Sequence, residues 1–141
     1  MIFIFHFKNK KMIQIYTDGS CRDRKGGYAY VILIDDYEIS WSGFVNDTTN
    51  NRMELTAVIE ALKNLDINDS AIIYSDSQWV INCAQKNWKR NKNLDLWIQY
   101  DNESKSKIIQ FVWVKGHSGD KYNDMCDKLA FQEINNNYMK V

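Results

Sequence analysis

Apolar and polar residues alternate along Ile13–Thr17, Tyr28–Ile34 and Glu38–Val45, the period of half-buried strands, with Asp35-Asp36 as a turn between the last two. The first run ends at Asp18-Gly19, so these segments predict a three-strand meander. From Asn51 the period changes: Leu55, Val58, Ile59, Leu62 and Leu65 keep the spacing of an amphipathic helix, which Asn68-Asp69 ends. Ala71–Tyr74 is a short apolar strand ending at Ser75-Asp76, and Ser77 is a fair cap for a helix through about Cys83 or Ala84. Leu94–Tyr100 predicts a short helix, Ile108–Val114 a strongly apolar strand, and Tyr122–Asn135 a closing helix. On that last helix Asp127, Ala130, Phe131 and Ile134 share a face, with Asp124 on another. Strands first, then alternating helix and strand, predict an α/β fold with a mixed sheet covered on both sides.

The chain has 141 residues, room for one domain. We expect that domain at residues 13–137, with 1–12 as an N-terminal extension, part of it or appended, and 138–141 as a tail. Net charge is zero, so the overall field that draws basic proteins onto nucleic acid is missing. Any grip on a polyanion must be local, at Lys8–Lys11, at Arg22, Arg24 and Lys25, or at Lys86, Lys89, Arg90 and Lys92. Cys21, Cys83 and Cys126 form no CxxC pair and an odd number, which suggests neither a disulfide framework nor a zinc site. No apolar run approaches a bilayer's width. A soluble cytoplasmic protein in a reducing compartment, with no membrane partner, is the expectation.

Four carboxylates change the picture. Asp18 and Asp76 end apolar strand-like runs, Glu54 lies on the apolar stripe of a predicted helix one turn before Val58, and Asp127 falls ten positions beyond His117. Taken singly, an Asp before Gly reads as a turn and an Asp before a helix as a cap. Carboxylates ending a first and a fourth strand can meet at one end of a sheet, however, and a helix packed there can add Glu54. Their repulsion must then be relieved by protons or cations, and an all-oxygen ligand set suits magnesium or manganese. Two such ions are a known solution to phosphoryl displacement.

TDGSC (17–21), TTNNRMEL (48–55), SDSQWV (75–80), NLDLW (93–97) and WVKGHSG (113–119) together resemble type 1 ribonuclease H, from about Ile13 to Ala130. The resemblance implies a ribonuclease H-like five-stranded mixed sheet with helices on both faces. It also implies a monomer that hydrolyses the RNA strand of RNA–DNA hybrids, leaving 5′-phosphate and 3′-hydroxyl ends. By motif, Asp18, Glu54, Asp76 and Asp127 would be catalytic and would hold two Mg2+ with substrate, Mn2+ being able to substitute, and Asp18 would bridge them. His117, in a glycine-flanked loop, would be the fifth catalytic residue, of a type suited to moving protons or aiding product release. Ser20, Cys21, Asn50, Asn51 and Gln78 resemble the family's minor-groove contacts, which read the RNA 2′-hydroxyl. Thr49 and Asn93 resemble a pocket for a phosphate of the DNA strand, with Trp88 or Trp97 beside that track, Trp97 reading rather as a core residue. His6 matches no motif.

Two departures from the pattern matter. RDRKGG after Cys21 is shorter than the loop many relatives carry, and Arg22 or Arg24 is placed to compensate. Between Asp76 and the DLW motif there is no room for the basic protrusion of some relatives, so only Lys86–Lys92 remains. Weaker hybrid binding with a shallower salt slope follows, since each phosphate contact contributes about 0.9 to that slope. The rival readings are a catalytically silent hybrid-binding module, a DNA-cutting resolvase or integrase core of the same fold, and a metal-free acid pair of the glycosidase kind.

Overall fold

A computed structural model describes residues 12–138. The expected extension, apart from Met12, and residues 139–141 of the expected tail lie outside the described residues. Nine elements follow one another: β1 (Ile13–Arg22), β2 (Lys25–Ile34), β3 (Tyr37–Asn46), α1 (Asn50–Leu62), β4 (Ser70–Ser75), α2 (Gln78–Ala84), α3 (Leu94–Ser104), β5 (Ile108–Trp113) and α4 (Lys121–Asn137). The sheet runs β3-β2-β1-β4-β5. β1–β2 and β2–β3 pair antiparallel, while β1–β4 and β4–β5 pair parallel. This is the five-stranded mixed sheet that the motifs implied.

Alternation along β1 divides the core in two. Ile13 and Ile15 face α1 and α3 and join Leu55, Val58, Ile59, Leu62, Leu96 and Trp97 in the larger cluster. Tyr16 faces α4 and joins Ala29, Val31, Cys126 and Ala130 in the smaller one. Trp97 is a core residue, tilted against Trp79 at 5.6 Å with the Arg90 guanidinium 4.4 Å over its ring. Trp97 is thus in the core as its reading favoured, and Trp88, the alternative beside the DNA track, is exposed.

Three expectations need correction. β1 does not end at Asp18: it runs on to Arg22, and β2 begins at Lys25 rather than Tyr28. Asp23 and Arg24, with φ of 51° and 64°, close a two-residue hairpin turn of the kind that matches strand twist. Neither is glycine, so the turn was not legible from composition. On α4 the buried face is Asn123, Cys126, Ala130 and Ile134, and Phe131 points outward with the Arg22 guanidinium 5.9 Å from its ring centre. β5 is apolar, but as an edge strand it leaves Ile108, Val112 and Trp113 exposed.

Candidate active site

β4 is short. Its register with β1 ends at Tyr16↔Tyr74, and β4 itself stops at Ser75, while β1 continues for six residues beyond Tyr16 with β2 alone as a strand partner. The sheet therefore has a notch beside Asp18, and Asp76 stands at its rim. Alternation puts Asp18 on the α4 side of β1, with Tyr16, whereas Glu54 arrives on α1 from the other side. They meet because the intervening residue is Gly19: a Cβ there would overlap the backbone of Met53 and Glu54. The helix thus lies directly on the strand, and its glutamate reaches the notch. Thr49 caps α1, its Oγ1 accepting from Arg52 N at 3.3 Å, which fixes where Glu54 falls on the first turns.

Asp18, Glu54 and Asp76 each bring a carboxylate oxygen within 4.8 Å of the others. Asp18 is 4 % exposed and Glu54 7 %. Burial first, then the charges of Asp76 and Asp127, push the Asp18 carboxyl up to about 8, against a 2.9 Å hydrogen bond donated by Gly19 N. Burial, followed by the charges of Asp18 and Asp76, holds Glu54 well above the usual carboxylate range. Asp76 is raised by burial, opposed by a hydrogen bond from the Asn123 amide. The Oε2 of Glu54 is buried without a hydrogen-bond partner. Three crowded acids, two of them desolvated and one with an orphaned oxygen, form an oxygen-only donor set short of positive charge. That set fits a hard divalent cation such as Mg2+ or Mn2+.

Asp127 stands just outside this tight trio but shares a hydrogen bond with Asp18. Its Oδ2 lies 3.9 Å from His117 Nδ1. Asp120 caps α4, accepting from Tyr122 N and Asn123 N at 3.1 and 3.0 Å, and so sets the phase that turns Asp127 to the notch. His117 has a left-handed backbone, φ 55°, and a side chain that is 84 % exposed.

The seven residues expected to contact nucleic acid lie along the rim of the notch and the helix starts beside it. Ser20 and Cys21 continue β1 past Asp18, the Cys21 thiol donating to Thr48 O. Asn50 and Asn51 open α1 with exposed side chains, and Gln78 opens α2, also exposed. Thr49 is occupied as a cap. Asn93 precedes α3 in the left-handed region, φ 59°, and its Oδ1 accepts from Arg52 Nη1 at 3.1 Å. Arg52 also grips Asp95 through two bonds of 2.7 and 3.0 Å, tying α3 to α1. Of the basic residues, Arg24 pairs with Asp47, and Arg22 lies over Tyr138 and bonds Asn135. Arg90 is spent on Asp101, on the Cys83 and Ala84 carbonyls and on Trp97. Lys86, Lys89 and Lys92 remain exposed, in a segment with neither helix nor strand.

Sequence reasoning passed over the residues that enclose Asp76. Trp113 Nε1 donates to the Asp76 carbonyl at 3.1 Å, and a Cβ on Gly116 would stand 3.0 Å from Asp76 Oδ2. Asn123 could have been found from its spacing, four before Asp127 and hence on the same helix face.

A mixed sheet opened beside its central strand, with acids entering from helices on both faces, defines a protein of the ribonuclease H fold. A sequence model of the family, RNase H, matches residues 10–135, and the chain belongs to that family. It is 41 % identical to the ribonuclease H of Acetivibrio thermocellus, over 92 % of this chain and 99 % of that one. It is 42 % identical to that of Mannheimia succiniciproducens, over 90 % of both chains. Among solved structures, LC11-RNase H1 in complex with RNA/DNA hybrid matches with a TM-score of 0.76 and 22 % identity, over 89 % of this chain and 99 % of that one. The N-terminal RNase H domain of rv2228c from Mycobacterium tuberculosis matches at 0.78 and 22 %, over 89 % and 94 %.

Proposed function

We propose that the protein is an endonuclease that hydrolyses the RNA strand of RNA–DNA hybrids with divalent cations at Asp18, Glu54, Asp76 and Asp127. The observation that carries this reading is the approach of three carboxylate oxygens to within 4.8 Å in a largely buried notch, one glutamate oxygen being left without a partner. Asp18 would be central to holding the ions, since Glu54, Asp76 and Asp127 all interact with its carboxylate. When bound, Mg2+ or Mn2+ supplies charge stabilisation at the attacking and leaving oxygens.

The remaining work falls to the chain. A water oxygen bonds to phosphorus, the bond from phosphorus to the 3′ oxygen breaks, and a proton passes from the water side to the leaving oxygen, giving 5′-phosphate and 3′-hydroxyl ends. His117, exposed on its loop and facing Asp127, is placed to carry that proton. Ser20, Cys21, Asn50, Asn51 and Gln78 would read the RNA sugar edge, while Thr49 and Asn93 would hold a phosphate of the DNA strand. With Arg22, Arg24 and Arg90 engaged within the protein, the DNA grip falls to Lys86, Lys89 and Lys92.

The test presents one labelled RNA strand in a DNA hybrid, in duplex RNA and alone, with Mg2+, Mn2+ or EDTA, beside Asp76→Asn. Cation-dependent cutting of the hybrid alone, lost in the variant, is the expected result. The salt slope of hybrid binding in the same samples is expected to be shallow. Hybrid binding by the wild type without cutting under either ion would leave a silent binding module in place of the enzyme.

A further inference from the structure

The buried stripe of α4 reads Asn123, Cys126, Ala130 and Ile134, so an amide occupies its first position among small and apolar residues. Asn123 is 2 % exposed, in a place where an apolar side chain would incur no desolvation. Its backbone N–H is satisfied by the Asp120 carboxylate, so the helix cap does not require the amide side chain. One end of that side chain has a clear purpose: it donates to the Asp76 carboxylate and lowers the cost of that charge. The other end has none, for Oδ1 is buried without a hydrogen-bond partner. Exchanging the two ends would set a carbonyl against Asp76, so the orientation is fixed by charge.

A buried acceptor left without a partner costs a large fraction of a domain's marginal stability. The charged groups acting on Asp76 offer little to this oxygen. Asp127 can only accept when ionised, and the His117 side chain is largely exposed, its Nδ1 directed to Asp127 at 3.9 Å. A hydrated ligand at the acids would supply the missing donor. Mg2+ gives up its waters reluctantly and brings O–H donors to whatever carboxylates hold it. We propose that Asn123 is a positioning residue: its Nδ2 fixes the Asp76 carboxylate, and its Oδ1 accepts a hydrogen bond from the hydration shell of a divalent cation held by Asp18, Glu54 and Asp76. This rests on the cation reading above and adds to it an outer partner from α4, of the kind that orients ligands elsewhere.

The experiment measures Mn2+ binding to the free protein by titration calorimetry, without nucleic acid, for the wild type, Asn123→Leu, Asn123→Ala and Asp76→Asn. Leucine replaces the amide with an apolar side chain of similar size, and alanine serves if leucine prevents folding. Both variants are expected to bind Mn2+ about tenfold more weakly than the wild type. Metal-free Asn123→Leu is expected to melt no lower than the wild type, because the orphaned oxygen is gone. A role in packing alone would give the opposite pattern, a lower melting temperature with unchanged Mn2+ affinity, and affinities within twofold of the wild type in both variants would overturn the inference. If the wild type binds no more Mn2+ than Asp76→Asn, the cation reading itself falls, and this inference with it.

Discussion

Asp18 is the residue on which the site turns. Its carboxyl is raised from 3.8 to about 8 by burial and by its acidic neighbours, so between those limits the folded protein keeps a proton that the unfolded chain releases. Stability therefore falls as pH rises through this window, and is greatest on the acid side of it. In EDTA the wild type is expected to lose melting temperature between pH 5 and 8.5, while Asp18→Asn melts about 5 °C higher than the wild type at pH 8.5 and no higher at pH 4. Mg2+ should restore the wild type and leave the variant unmoved. Parallel profiles for the two proteins in differential scanning calorimetry would show that the acids are not in conflict. The acids were legible in the sequence because a carboxylate in an apolar run conflicts with its surroundings. Asn123 was passed over, because its spacing from Asp127 marks a shared helix face but an amide there is unremarkable until its burial is known.

Among the elements, the contact of α1 with β1 decides whether the acids meet. The helix was readable from its apolar spacing, whereas Thr49, read from its motif as a phosphate contact, proved to be its cap, and the closeness of the helix to the strand depends on Gly19, which in sequence reads as a turn residue. Gly19→Ala would force α1 off the strand, since the added carbon falls on backbone rather than on a side chain that can move aside. A loss of about 2–3 kcal/mol is expected from urea unfolding, accompanied by loss of Mn2+ affinity. Unaltered stability would mean that the helix can withdraw freely. The extra length of β1 escaped the sequence for a related reason: alternation fades where Gly19 and Gly27 lie against backbone and Gly26 against the Thr48 and Met53 side chains, and the Asp23-Arg24 turn carries no glycine to announce it. Phe131 was misplaced because it sits one residue from Ala130, and the helical face it was assigned to is narrower than the stripe allowed.

At the scale of the molecule, the order of strands and helices was enough to predict a mixed sheet covered on both faces, but not where β4 would stop, and the notch depends on that. The acids hang from β1, from the end of β4 and from two helices clamped to the sheet, whereas His117 hangs from a loop that leaves β5, an edge strand held on one flank. In the language of hydrogen exchange, these are different units. Amides of Tyr16 and Ile73 are expected to exchange only when the whole sheet opens, with a rate that climbs steeply in dilute denaturant. Those of Gly116–Gly119 are expected to exchange through small openings that denaturant barely affects. Equal denaturant dependence in the two groups would show the loop to be part of the cooperative core. With the division as described, the charged half of the site is as durable as the fold, and the half proposed to carry the proton is only as durable as one turn of loop.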